Sequence, residues 1–194
     1  MAQSLDGKKI AIIATDGVEQ VELTEPRKAV QEAGATTELL SLTTDDIQAM
    51  NSDINPADTF TPDKAVSDAS PGDYDGLLLP GGTVNADRLR DDDTVIGFVQ
   101  EYFKSGKPVG VICHGPWTLV TADLVKGRTL TSYHSVHTDI RNAGGNWVDE
   151  EVVTDEGLVS SRFPGDLDAF CSKVVEEFAE GKHSVASAGA TAGS

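Results

Sequence analysis

Lys107-Pro108-Val109-Gly110-Val111-Ile112-Cys113-His114-Gly115-Pro116 decides the fold. Its first half is a short continuous apolar run, the pattern of a strand covered on both faces, as in a parallel sheet. Beyond it Trp117 to Val125 has a helical pattern, so Cys113 stands on a sharp strand-to-helix turn. Such a nucleophile elbow lifts a reactive group clear of the sheet and aims it at a helix N-terminus. Gly115 leaves room for the strained backbone. The positive helix end and a nearby imidazolium both favour thiolate, so Cys113 is expected to ionise at a depressed pKa and to be the preferred thiol for alkylation. Cys171, in a helical run with Phe170, Val174 and Phe178, reads instead as a packing residue.

The neighbouring segments repeat the theme. Lys9 to Ala14 is another buried strand, ended by Thr15-Asp16-Gly17, and a helix follows from Val21 to Ala33 with Pro26 near its first turn and Gly34 as its stop. Thr36 to Leu42 is β-branched and apolar, which completes a strand-helix-strand crossover. Residues 43 to 74, rich in Asp, Ser, Thr and Pro, predict short strands and turns only. Tyr74 to Leu79 is a further strand, and Pro80-Gly81-Gly82 after it is a site loop whose glycines permit close backbone approach. Helices are expected over 94–104, 135–143 and 166–179, with short strands near Trp147, Val152 and Leu158. Strands alternating with helices imply a doubly wound, mostly parallel, flavodoxin-like α/β sheet, whose ligands sit at the carboxyl ends of its strands. Gly82 and Cys113 both fall at such ends.

Composition narrows the function. The 194 residues fit one domain, expected over residues 1–182, with the small, polar stretch 183–194 as a flexible tail. Fifteen Lys and Arg against 32 Asp and Glu give a formal charge of -17, a field that repels nucleic-acid backbones and anionic lipid. Runs such as Asp91-Asp92-Asp93 read as solvated turns. Two cysteines cannot form a disulfide framework, and the start lacks the apolar core of a signal peptide, so a cytoplasmic setting is expected. No apolar run is long enough to span a bilayer, and no membrane role is expected. His134 and His137 are spaced like a metal pair but lack a further ligand, so neither metal nor cofactor is expected.

Ile112-Cys113-His114-Gly115-Pro116, Leu79-Pro80-Gly81-Gly82 and the stretch from Asp16 to Leu23 resemble the three signatures of the PfpI intracellular protease and YhbO-like stress-protein family, within the class I glutamine amidotransferase-like superfamily. The resemblance extends to Ser105-Gly106-Lys107-Pro108-Val109, Lys126-Gly127-Arg128, Asn142-Ala143-Gly144 and Ser160-Ser161-Arg162. It implies that Glu19 supplies a protonated carboxyl to the Cys113 sulfur, leaving Glu22 a structural part. It further implies that Gly82 and the His114 N–H hold an oxyanion, that His114 acts as base, and that Tyr133 lies close to the pocket. Trp117 stands where relatives often carry glutamine, so substrate preference is expected to differ. Asp87 is the candidate acid of a triad completed by a neighbouring subunit, which calls for a homodimer or larger homo-oligomer. Against the family pattern the loop carrying it, Gly82 to Arg90, has one extra residue.

Two functions follow from the same thiol. One is a cysteine-dependent, stress-protective hydrolase, protease-like or deglycase-like, acting on a small-molecule or peptide carbonyl or a glycation adduct. The other is a redox-responsive protective protein in which Cys113 is oxidised with little turnover. A glutamine amidotransferase would need a downstream His-x-Glu, and the chain has none.

Overall fold

The computed structural model of the chain describes residues 4–182, so the tail expected at 183–194 lies outside the described residues. Strands β1 (Lys9–Ile13), β2 (Thr36–Ser41), β5 (Lys64–Ala65), β6 (Gly76–Leu79), β7 (Val109–Ile112), β10 (Val152–Asp155) and β11 (Leu158–Ser161) form one sheet. Their order is β10-β11-β7-β6-β1-β2-β5, parallel throughout except at the β10–β11 hairpin. Strands β3 (Ile47–Asn51) and β4 (Asn55–Phe60) make a separate antiparallel hairpin, and β8 (Thr129–Leu130) pairs with β9 (Asn146–Trp147).

The central strands are apolar on both faces, and their alternation divides the interior into two cores. Ile10, Ile12, Leu78 and Ile112 pack under α1 (Gln20–Glu32) and α6 (Leu167–Glu180), against Leu23, Val30, Phe170, Val174 and Phe178. Ala11, Ile13, Leu77, Leu79, Val109 and Val111 pack on the opposite side with residues of α2 (Thr83–Arg90), α3 (Asp93–Lys104), α4 (Pro116–Thr121) and α5 (His137–Asn142). Full burial of aliphatic side chains on both faces, at about 1.5–3 kcal/mol each, is what holds the central strands in register.

The structure departs from the sequence reading at α2, Pro26 and Asp92. Gly82 to Arg90, read as a loop, contains α2, whose apolar residues Ala86 and Leu89 are buried. The polar stretch 43–74 holds short strands and turns as expected, among them the β3–β4 hairpin, tied back by the bridge between Glu19 and Met50. Pro26 is in the second turn of α1, on its buried face, rather than in the first. Asp92 is not simply solvated: its carboxylate caps α3, accepting the Thr94 N–H at 2.9 Å and the Val95 N–H at 3.0 Å.

Candidate active site

The ends of β1, β6 and β7, adjacent in the sheet, converge on Cys113. Its backbone sits at φ 61°, the left-handed region that a non-glycine residue enters only when its surroundings compel it. The Cys113 N–H donates to the Ser161 carbonyl at 3.1 Å, its carbonyl accepts the Tyr133 N–H at 2.8 Å, and Gly115 N–H closes back on the Ile112 carbonyl at 2.9 Å. The elbow is thus fixed by β11 on one side and by the Tyr133 segment on the other. Opposite it runs the Pro80-Gly81-Gly82 loop, fastened by buried Asn85. The Asn85 amide accepts the Thr15 N–H at 2.8 Å and donates to the carbonyls of Pro80 at 3.1 Å and Gly81 at 2.9 Å. A Cβ on Gly81 would fall 2.5 Å from the Cys113 Cβ, so only glycine allows this approach.

Backbone N–H groups of Gly82 and His114 both donate toward the Cys113 sulfur. His114 Nδ1 lies 3.2 Å from it. The carboxyl beside the thiol is Glu22, and this corrects the expectation for Glu19. Glu19 is the residue before α1, in extended conformation, and its two oxygens accept the N–H groups of Ser52 and Asp53, each at 3.0 Å. Glu22, in the first turn, points inward. Its Oε2 accepts the Gly81 N–H at 2.9 Å, while Oε1 is buried without an N–H or O–H partner and the carboxyl interacts with the thiol.

Burial dominates the electrostatics. It raises Glu22 from 4.5 to about 8; the nearby charges of Glu19 and Asp53 add to the rise, and contact with the thiol and the Gly81 N–H opposes it. Burial likewise pushes the Cys113 thiol well above its ordinary range, Glu22 adding to it and the Gly82 and His114 N–H groups only partly offsetting it. The depressed pKa expected from the elbow is therefore not what the structure gives. Cys113 is only 5% exposed, and at that depth desolvation of the anion outweighs two backbone donors and the end of a six-residue helix. Burial also holds His114 below the usual imidazole value, with Asp53 acting upward and His134 downward. At neutral pH the resting trio is a thiol, a neutral carboxyl and a neutral imidazole placed to take the thiol proton.

Tyr133 stacks on the His114 ring with centroids 4.7 Å apart, and Trp117 leans on it at 5.3 Å. Trp117 is itself held by its N–H to Asp139 at 3.0 Å. A pocket of about 230 Å³ opens over the sulfur, lined by Glu19, Glu22, Ser52, Asp53, Cys113, Tyr133 and Pro164. Asp87 is exposed, one turn along α2 from Thr83, and is not among the groups bonded to His114 within the chain. Cys171 is half-buried in α6, away from the pocket. Sequence reasoning missed Glu22, Asn85, Asp53 and Thr83. For Glu22 a signal existed: it shares the inward stripe of Leu23, Pro26 and Val30, which Glu19 precedes.

Fold and site together define an α/β protein with a buried thiol on a strand-to-helix elbow. The DJ-1/PfpI family matches residues 8–177, and the chain belongs to that family. It is 42% identical over 164 residues to the Bacillus subtilis (strain 168) protein named "Putative cysteine protease YraA", covering 84% of this chain and 94% of that one. It is 40% identical over 164 residues to "Protein/nucleic acid deglycase 2" of Escherichia coli (strain K12), covering 84% and 93%. Among solved structures, Drosophila melanogaster DJ-1beta superposes with a TM-score of 0.80 at 25% identity, over 89% of this chain and 90% of the other. The DJ-1/ThiJ/PfpI-like domain of a two-domain Anabaena variabilis protein gives 0.82 at 30% identity, covering 87% of this chain and 47% of that protein. No helix among the described residues is long and apolar enough to cross a membrane.

Proposed function

We propose that the chain is a cysteine-dependent hydrolase in which Cys113 attacks the carbonyl carbon of a small acyl group or glycation adduct. The observation that carries this reading is the Cys113 sulfur at the elbow, with two backbone N–H donors converging on it and His114 Nδ1 at 3.2 Å. In the reaction His114 takes the thiol proton as the carbon–sulfur bond forms, and the carbonyl oxygen becomes an oxyanion beside the N–H groups of Gly82 and His114. Collapse expels the leaving group, which takes the proton from His114; water then cleaves the thioester with His114 again as base. Neutral Glu22 spares the emerging thiolate a second negative charge.

A pocket of about 230 Å³ suits a side-chain-sized group rather than an extended peptide, and Glu19 and Asp53 on its wall, with no Lys or Arg, favour neutral or cationic carbonyl compounds. The names borne by the two relatives, a cysteine protease and a deglycase, agree with hydrolysis at this coarse level. Two free thiols fit a reducing, cytoplasmic setting and a protective role there. We further propose assembly as a homodimer or larger homo-oligomer.

Steady-state hydrolysis of peptide and methylglyoxal-adduct substrates by the native chain and by Cys113→Ser tests the chemistry. Turnover should fall by at least about a thousandfold with the sulfur, the scale of losing a covalent nucleophile. Equal rates in both proteins would end the hydrolase reading.

A further inference from the structure

His114 Nδ1 faces the thiol, and the imidazole therefore presents Nε2 to the opposite side. There it meets two hydroxyls, Thr83 Oγ1 at 3.4 Å and Ser135 Oγ at 3.3 Å. Thr83 is in turn gripped by Asp53, whose Oδ1 accepts the Thr83 N–H at 2.8 Å and whose Oδ2 accepts the Thr83 hydroxyl at 3.1 Å. One polarity satisfies the whole chain of contacts. Asp53 Oδ2 accepts the Thr83 hydroxyl proton, the Thr83 oxygen accepts His114 Nε2–H, and Nδ1 is left as a lone pair toward the thiol.

The segment carrying Asp53 is built to deliver it. Ser52 and Asp53 sit at the tip of the β3–β4 hairpin at φ 54° and 63°, consecutive left-handed conformations without a glycine. That strain is sustained because Glu19 accepts both of their N–H groups. We propose that Asp53 is the acidic positioning residue of the site, acting on His114 through the Thr83 hydroxyl within a single chain. It fixes the Nε2–H tautomer and stabilises the imidazolium formed when Nδ1 takes the Cys113 proton. Glu19 then serves the site indirectly, as the anchor of the Asp53 turn.

This inference rests on Cys113–His114 as the reacting pair, but not on any substrate. Asp53 also caps α2 through the Thr83 N–H, and the variants are chosen to separate the two roles. Asp53→Asn keeps a capping side chain and removes the charge; Thr83→Val keeps the N–H contact and removes only the hydroxyl; Thr83→Ser returns the hydroxyl. His114 is followed by nitrogen NMR titration and Cys113 by its rate of iodoacetamide alkylation. The other titratable groups facing the ring, Cys113, Tyr133 and His134, with Glu22 behind the sulfur, are unchanged in every variant.

Asp53→Asn should lower the His114 pKa and slow alkylation at neutral pH about tenfold, the equivalent of one pKa unit. Thr83→Val should shift both in the same direction by a smaller factor, Thr83→Ser should restore them, and Asp87→Ala should leave them unchanged. An unaltered His114 titration and thiol rate in Thr83→Val, or loss only in Asp87→Ala, would overturn the proposal; if Asp53→Asn does not fold, the Thr83 pair alone decides. A chain without turnover on any carbonyl substrate, yet with this His114 response, would end the hydrolase reading and leave the relay standing.

Discussion

Glu22 and Cys113 occupy one buried site in which neither anion is favoured, and that has a consequence for stability. Glu22 sits at about 8 in the fold against an ordinary 4.5. Between those values the folded chain keeps a proton that the unfolded chain releases, so stability falls as pH rises through the window and levels off above it. The Cys113 thiol lies higher and stays protonated throughout. Glu22→Gln retains an acceptor for the Gly81 N–H but has nothing to titrate. Urea unfolding from about pH 5 to about pH 8 should show the native chain losing stability relative to Glu22→Gln, with a slope approaching about 1.4 kcal/mol per pH unit. Parallel pH profiles would mean that Glu22 is not held neutral. At this scale the positions of Cys113, His114 and Gly82 at strand ends were legible because each lies in a motif whose geometry is local, whereas Tyr133 was reached only through the family resemblance. Glu19 and Glu22 could not be told apart by motif alone: a shift of three residues in where α1 begins its inward stripe decides which carboxyl faces the sulfur.

Sequence reading predicted short strands over 43–74 but not their pairing as the β3–β4 hairpin, whose tip carries the Asp53 that binds Thr83. Residues 43 to 74 lack apolar periodicity because β4 is largely solvent-facing, and Asp53 meets Thr83 across 30 positions of chain. Strands β1, β6 and β7, by contrast, announce themselves as buried runs. The hairpin is secured at its tip by the two Glu19 bonds and at its base by Gln48, whose N–H donates to Asp16 at 2.9 Å. A carboxylate accepting two N–H groups contributes about 1.5–3 kcal/mol per bond. Glu19→Ala should therefore loosen the tip while leaving the sheet intact. In hydrogen exchange the amides of Ser52 and Asp53 should speed by about tenfold or more, those of β1 and β7 remaining protected. Alkylation of Cys113 should slow as Asp53 leaves Thr83. Unchanged exchange at the tip would show that the hairpin is held by other contacts.

For the molecule as a whole, the large hydrophobic side chains left exposed among the described residues are Ile54, Val84 and Phe163. Each is next in sequence to a residue of the site or its pocket, Asp53, Thr83 and Pro164 respectively. Exposed apolar side chains beside pocket residues in sequence are what the proposed assembly through the pocket side rests on. Opposing it is charge: two copies at -17 each repel one another, and salt screens that repulsion over about 10 Å at 0.1 M. Association should therefore tighten with ionic strength, the reverse of an interface built on opposite charges. Light scattering coupled to gel filtration should give a multiple of the 20.5 kDa chain mass, rising toward it as salt increases. Ile54→Asp together with Phe163→Asp should shift the population to the single chain with the fold preserved. A mass of one chain at every salt concentration, or an unshifted assembly in that double variant, would count against a second copy on this face. If the relay from Asp53 is complete within one chain, monomeric Ile54→Asp/Phe163→Asp should keep its Cys113 alkylation rate, because assembly would then shape access to the pocket and leave the proton path at His114 untouched.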